Sequence, residues 1–149
     1  MFNINSLIRG FYAGFIATLA LTSVMMIKSA LGVMPELNPI HILANLATEQ
    51  IGLSMSIGVG WAIHFLLGSA IWGGALVILN NTLPGSKQLT KALVLSTAAW
   101  LAMMVVLMPL ANLGLFGLTL GIKVPVMTLI LHLVFGLALG VSYSKINKD

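Results

Sequence analysis

The chain has 149 residues, 59% hydrophobic and only 7% charged, with a net charge of +4. A soluble domain carries about 25% charged residues, so there is too little polar surface for a water-soluble globule, and the class is a single-domain integral membrane protein. With no cysteine, disulfides, thiolate metal sites, cysteine nucleophiles and covalent c-type haem are excluded. The cations are scattered among helix ends, which argues against nucleic acid as a partner.

Residues 1–9 read as a short amphipathic lead-in. Arg9 precedes an apolar run that is too long for a signal-peptide core and lacks a cleavage site after it, so the first helix is expected to be retained. It spans about residues 10–31, with Lys28 at its far end extending its amine toward lipid headgroups. Asn38 then supplies a helix N-cap and Pro39 a first helical residue. The helix that follows, about 39–50, is too short to span. With His41, Asn45 and Glu49 on one face, it is expected to lie in the membrane interface.

The second span covers about 54–79. The polar stretch from Asn80 to Lys87 is a helix-breaking turn. The third span, about 89–110, stops near Pro109. Residues 111–123 are apolar and rich in glycine, so this connection is expected to stay at or partly in the membrane. The fourth span covers about 124–143. Met25-Met26 is echoed by Met103-Met104, and His64-x-x-x-Gly68 by His132-x-x-x-Gly136. The expected fold is therefore an all-α, integral membrane four-helix bundle of two tandem helical hairpins, with an interfacial helix between spans one and two.

Four spans put both termini and the central turn on one side. That side holds Arg9, Lys87, Lys91, Lys145 and Lys148 against Asp149; the other holds Lys28 and Lys123 against Glu36 and Glu49. The cationic side is the cytoplasmic one, which puts the N- and C-termini in the cytoplasm.

Several motifs together resemble an uncharacterised family of short bacterial membrane proteins. They are Gly14-x-x-Ala17-Thr18, Met34-Pro35-Glu36-Leu37-Asn38-Pro39, Gly60-Trp61-x-x-His64-Phe65-x-x-Gly68, Trp72-Gly73, Met108-Pro109-Leu110-Ala111, Gly114-Leu115-Phe116-Gly117 and Leu131-His132. The resemblance covers nearly the whole chain. It implies a four-helix protein of the bacterial inner membrane and brings no activity, cofactor or catalytic residue.

His64 and His132 are the most informative residues, because ionisable side chains inside a membrane segment are costly and default to functional candidates. Both are expected at similar depth, on diagonal helices. Three readings stand side by side. They are packing residues that hydrogen-bond a neighbouring helix, with Ser69, Ser96, Thr97 or Thr128 as partners. They are axial ligands of a haem b, with Gly68 and Gly136, and Gly60 and Gly140 a turn further out, leaving room for the macrocycle. Or they belong to a proton or ion pathway.

Glu36, His41 and Glu49 read as a solvated headgroup-level cluster, with metal binding as the alternative. The methionines are gap-fillers whose thioethers also suit Cu(I). Trp72 and Trp100 lie mid-membrane, where an indole N–H wants an acceptor.

No carboxylate lies in a span, so acid–base pairs and a Ser–His–Asp arrangement cannot be assembled there. No catalytic residue or metal site is expected. The expected function is a non-catalytic subunit or accessory component of a larger membrane assembly, or a homo-oligomer, surrounded by membrane lipid. The alternatives are a bis-histidine haem b electron carrier and a small oligomeric transporter or channel.

Overall fold

The apolar runs all fold as helices. In the computed structural model, which describes residues 3–147, they are α1 (Ile4–Ala30), α3 (Ile57–Ile78), α4 (Gln88–Leu110) and α5 (Lys123–Ile146), each long and apolar enough to cross a membrane. Helix α2 (Pro39–Ile51) joins the first two. Lys148 and Asp149, which entered the charge count, lie outside the described residues.

Asn3 caps α1, its side chain accepting from the Asn5 N–H at 3.0 Å. A capped end lets the helix start at once, so residues 4–9 are its first turns and not a separate lead-in. At the same end of the bundle, Arg9 Nη1 donates to Asn147 Oδ1 at 3.1 Å, tying the first helix to the last. The turn between α3 and α4 is fastened by Asn80, which exchanges amide hydrogen bonds with Gln88 and accepts from Lys91 Nζ on both its backbone and side-chain oxygens.

Helix α2 starts as its sequence predicts. The Asn38 side chain accepts from the His41 N–H, Pro39 opens the helix, and Gly52 closes it with φ +69°, the left-handed backbone that glycine adopts without strain. The helix does not simply rest in an interface. Ile40, Ala44, Leu46 and Ala47 are buried, and Ile42 and Leu43 face the bundle interior. Gly60 at the start of α3 admits the Ile40 carbonyl where any Cβ would collide with it. His41, Asn45 and Glu49 share the exposed opposite face.

Lys28 corrects the sequence reading. It is only 8% exposed and does not extend outward. Its ammonium donates to the carbonyls of Val33, Met34 and Leu37 at 2.8, 2.9 and 3.1 Å. The segment after α1 turns back over the helix end, and three inward carbonyls satisfy all three donors of the amine.

Small residues set the helix order. Gly10 and Gly14 of α1 lie against Gly68, Ser69 and Gly73 of α3: a Cβ on Gly14 would fall 2.5 Å from the Gly68 carbonyl oxygen and 2.9 Å from Ser69 Cα. Gly136 and Gly140 of α5 pack in the same manner on Ser96, Ala92 and Leu89 of α4. Each hairpin is thus closed by backbone-level contact, the packing that holds helices together where no hydrophobic driving force acts between them. The hairpins join through α1 and α5, while α3 and α4 touch sparsely. The order around the bundle is α3–α1–α5–α4, with an open seam between the two outer members.

Candidate functional site

The open seam widens into a cavity of about 340 Å³ at the α2 end of the bundle. All five helices contribute to its wall. Thr18, Leu21 and Met25 come from α1, and Ile42 and Leu43 from α2. Helix α3 gives His64, Leu67 and Trp72; α4 gives Ala99, Met103 and Val106; α5 gives Thr128, Leu131, His132 and Phe135. Apart from a few side-chain heteroatoms the wall is apolar. A concave apolar space of about 300–1,000 Å³ with few convergent polar groups is the usual form of a small-molecule site.

Two departures from regular helix border it. Residues Leu67–Trp72 of α3 and Met103–Leu107 of α4 are π-helical. A π turn adds a residue to the helix, and such turns concentrate at functional sites. Here they sit on the two helices that part from each other, and Leu67, Trp72, Met103 and Val106 within them face the cavity.

Both histidines of the long apolar helices line this one space. His64 is 9% exposed. Its Nε2 is 3.2 Å from the Thr22 hydroxyl of α1, and its ring packs edge-on against Trp61 and Phe65. His132 Nδ1 is 2.8 Å from the Thr128 carbonyl one turn earlier. A carbonyl only accepts, so Nδ1 carries the hydrogen, and in the neutral ring Nε2 is left as an acceptor. That nitrogen has no hydrogen-bond partner among the described residues, nor has His64 Nδ1.

The same stretch of α5 organises the wall. The Thr128 hydroxyl donates to the Val124 carbonyl at 2.8 Å and accepts from Trp100 Nε1 at 3.1 Å; the indole also reaches the Pro125 carbonyl at 3.2 Å. Trp100 thereby finds the acceptor that an indole N–H in an apolar helix requires. Trp72 differs: it lines the cavity, and its indole N–H has no partner among the described residues.

The structure brings His64, His132 and Gly68 together at the cavity but gives the glycines another task. Gly136 faces Ser96, Gly140 faces Leu89 and Gly60 faces Ile40, while Gly68 receives the Thr18 hydroxyl. Their missing Cβ atoms are used up by neighbouring helices, so they do not clear space for a macrocycle. Of the expected hydrogen-bond partners, Thr128 serves His132 through its carbonyl. Ser96 and Thr97 bond within their own helix, and the buried Ser69 hydroxyl has no partner among the described residues.

The partner of His64 is Thr22, which sequence reasoning missed. Thr18 and Thr22 stand four residues apart on the Gly14 face of α1, and that spacing was the available signal. Glu36, His41 and Glu49 are exposed, and no group of three His, Asp or Glu able to hold a metal ion occurs among the described residues. Met25 is buried and its neighbour Met26 exposed, as adjacent positions on a helix dictate.

Residues 4–149 match a family described as being of unknown function, DUF6789. No curated protein and no solved structure matches the chain.

Proposed function

The chain belongs to this family of unknown function, DUF6789, and we propose that it is a non-catalytic membrane protein that holds an apolar small molecule between its helices. The observation that carries this reading is the 340 Å³ apolar cavity with His64 and His132 in its wall. A ligand that fills this volume gains packing contacts with the apolar wall, and a polar group on it gives the imidazole nitrogens a hydrogen-bond partner. The bundle spans a bacterial plasma membrane with both termini cytoplasmic, as the charge bias supports. The seam between α3 and α4 gives a ligand lateral access from lipid or a partner helix a place to dock, so the protein acts as an accessory component of a larger membrane assembly.

The test is native mass spectrometry of the protein purified from membranes in mild detergent. A small molecule is expected to co-purify with the wild type and to be lost in Ala99→Leu, which fills the cavity from α4. Wild-type protein that is ligand-free and takes up no apolar molecule overturns the reading.

A haem b carrier is the second reading, favoured by two histidines on diagonal helices facing one space. Against it stand the Thr22 hydroxyl on His64 Nε2, the nitrogen that would meet the iron, and the small volume. A Soret band lost in both His64→Ala and His132→Ala supports it; a colourless, folded protein that stays so on haemin titration removes it.

A further inference from the structure

The polar groups left over in the cavity specify the chemistry of what it takes. His132 spends its one hydrogen on the Thr128 carbonyl, so it presents Nε2 as an acceptor. Trp72 also lines the wall. His64 Nδ1 takes either part, because the Thr22 hydroxyl can donate to or accept from Nε2. The occupant must therefore bring at least one O–H or N–H, set on an otherwise apolar body. Acidic lipids do not fit, since the wall holds no cation and the Lys28 ammonium is committed to three carbonyls. A zwitterionic headgroup finds no counter-charges either. A single substituted ring fits the cavity of about 340 Å³, with a flexible tail leaving between α3 and α4.

Resting on the ligand-binding reading above, we propose that the cavity binds the head group of a prenylated quinol, one hydroxyl donating to His132 Nε2 and the tail leaving through the α3–α4 seam. The site selects the reduced form. A quinol hydroxyl can donate, so it satisfies His132 Nε2. A quinone carbonyl only accepts and leaves His132 Nε2 unpaired.

The experiment measures binding of decylubiquinol and decylubiquinone to the full chain in phospholipid nanodiscs under anaerobic conditions, read by native mass spectrometry and tryptophan quenching. Wild type is expected to bind the quinol about tenfold more tightly than the quinone, the worth of one hydrogen bond. His132→Phe is expected to remove that preference. His132→Gln, which restores an acceptor oxygen, is expected to keep part of it and serves as the measurement if the phenylalanine variant does not fold. Equal affinity for the two forms in wild type overturns the inference, as does a preference that survives His132→Phe. If Ala99→Leu abolishes binding of both forms while wild type shows no preference, the head-group assignment falls and the ligand-binding reading stands. If neither form binds and no apolar molecule co-purifies, both fall. A haemin-induced Soret band that depends on His132 overturns the quinol assignment in favour of haem.

Discussion

Replacing Lys28 by methionine tests how the α2 end of the bundle is held. The exchange keeps the length of the stem and removes only the ammonium. Three hydrogen bonds from that group close the segment between α1 and α2, and bonds to a charged partner contribute about 1.5–3 kcal/mol each. They are not additive, because one ammonium makes all three and its own desolvation costs several kcal/mol. Met34 adds a correction: it sits at φ +48°, a left-handed backbone costing on the order of 1 kcal/mol for a residue with a Cβ, and that strain relaxes once its carbonyl is released.

The net is about 2–3 kcal/mol of local stability, or roughly a 30- to 150-fold rise in local opening. The readout is amide hydrogen exchange in detergent at Val33 and Leu37, whose N–H groups bond to the Lys28 and Met34 carbonyls. Leu37 is a core residue at 1% exposure, so its amide reports whether the segment stays seated. Exchange in Lys28→Met within about threefold of wild type would refute the reasoning. Apolar packing of Leu37 and Ile40 would then hold α2 by itself, and the lysine would be incidental.

Other consequences follow from the same contacts. Gly14→Val places side-chain atoms on the α3 backbone and is expected to cost at least about 1–3 kcal/mol, seen as a lowered thermal midpoint; an unchanged midpoint means that α1 and α3 are not in backbone contact. Gly136→Ala collides with the Ser96 side chain, so Ser96→Gly in the same chain is expected to recover at least half of the loss in a double-mutant cycle, and strict additivity contradicts the pairing. Trp100→Phe removes the donor to Thr128 and Pro125 and is expected to cost about 0.6 kcal/mol, the average for hydrogen bonds between membrane helices; a cost above 2 kcal/mol in detergent unfolding would mean that the indole does more than bond. Thr22→Val leaves His64 Nε2 without its partner and is expected to change the His64 ring resonances in NMR while those of His132 stay in place.

The architecture was legible in the sequence because its causes are local. Long apolar runs with few charges become helices of membrane length wherever they occur. Asn38-Pro39 starts α2 and Gly52 ends it through backbone preferences that need no neighbour. The four-residue glycine spacings in α1 and α5 put small residues on one helix face, and the structure uses both as close-packing faces. Even the exposure of His41, Asn45 and Glu49 followed from helical period.

The tertiary structure decided what depends on which helices meet. Nothing local says that the hairpins join through α1 and α5 and leave α3 and α4 apart, because all four helices offer similar apolar faces, and the choice is made by which small residues interlock. From that choice came the cavity, the burial of Lys28 under a returning loop, and the pairing of His64 with Thr22. The π turns are likewise invisible beforehand: an extra residue in a helical turn is stable only where neighbouring helices accommodate the bulge. His64 and His132 could be singled out from sequence because charge inside an apolar run is rare. That they face one space, with one nitrogen of each ring held and the other left open, is a property of the assembled bundle alone.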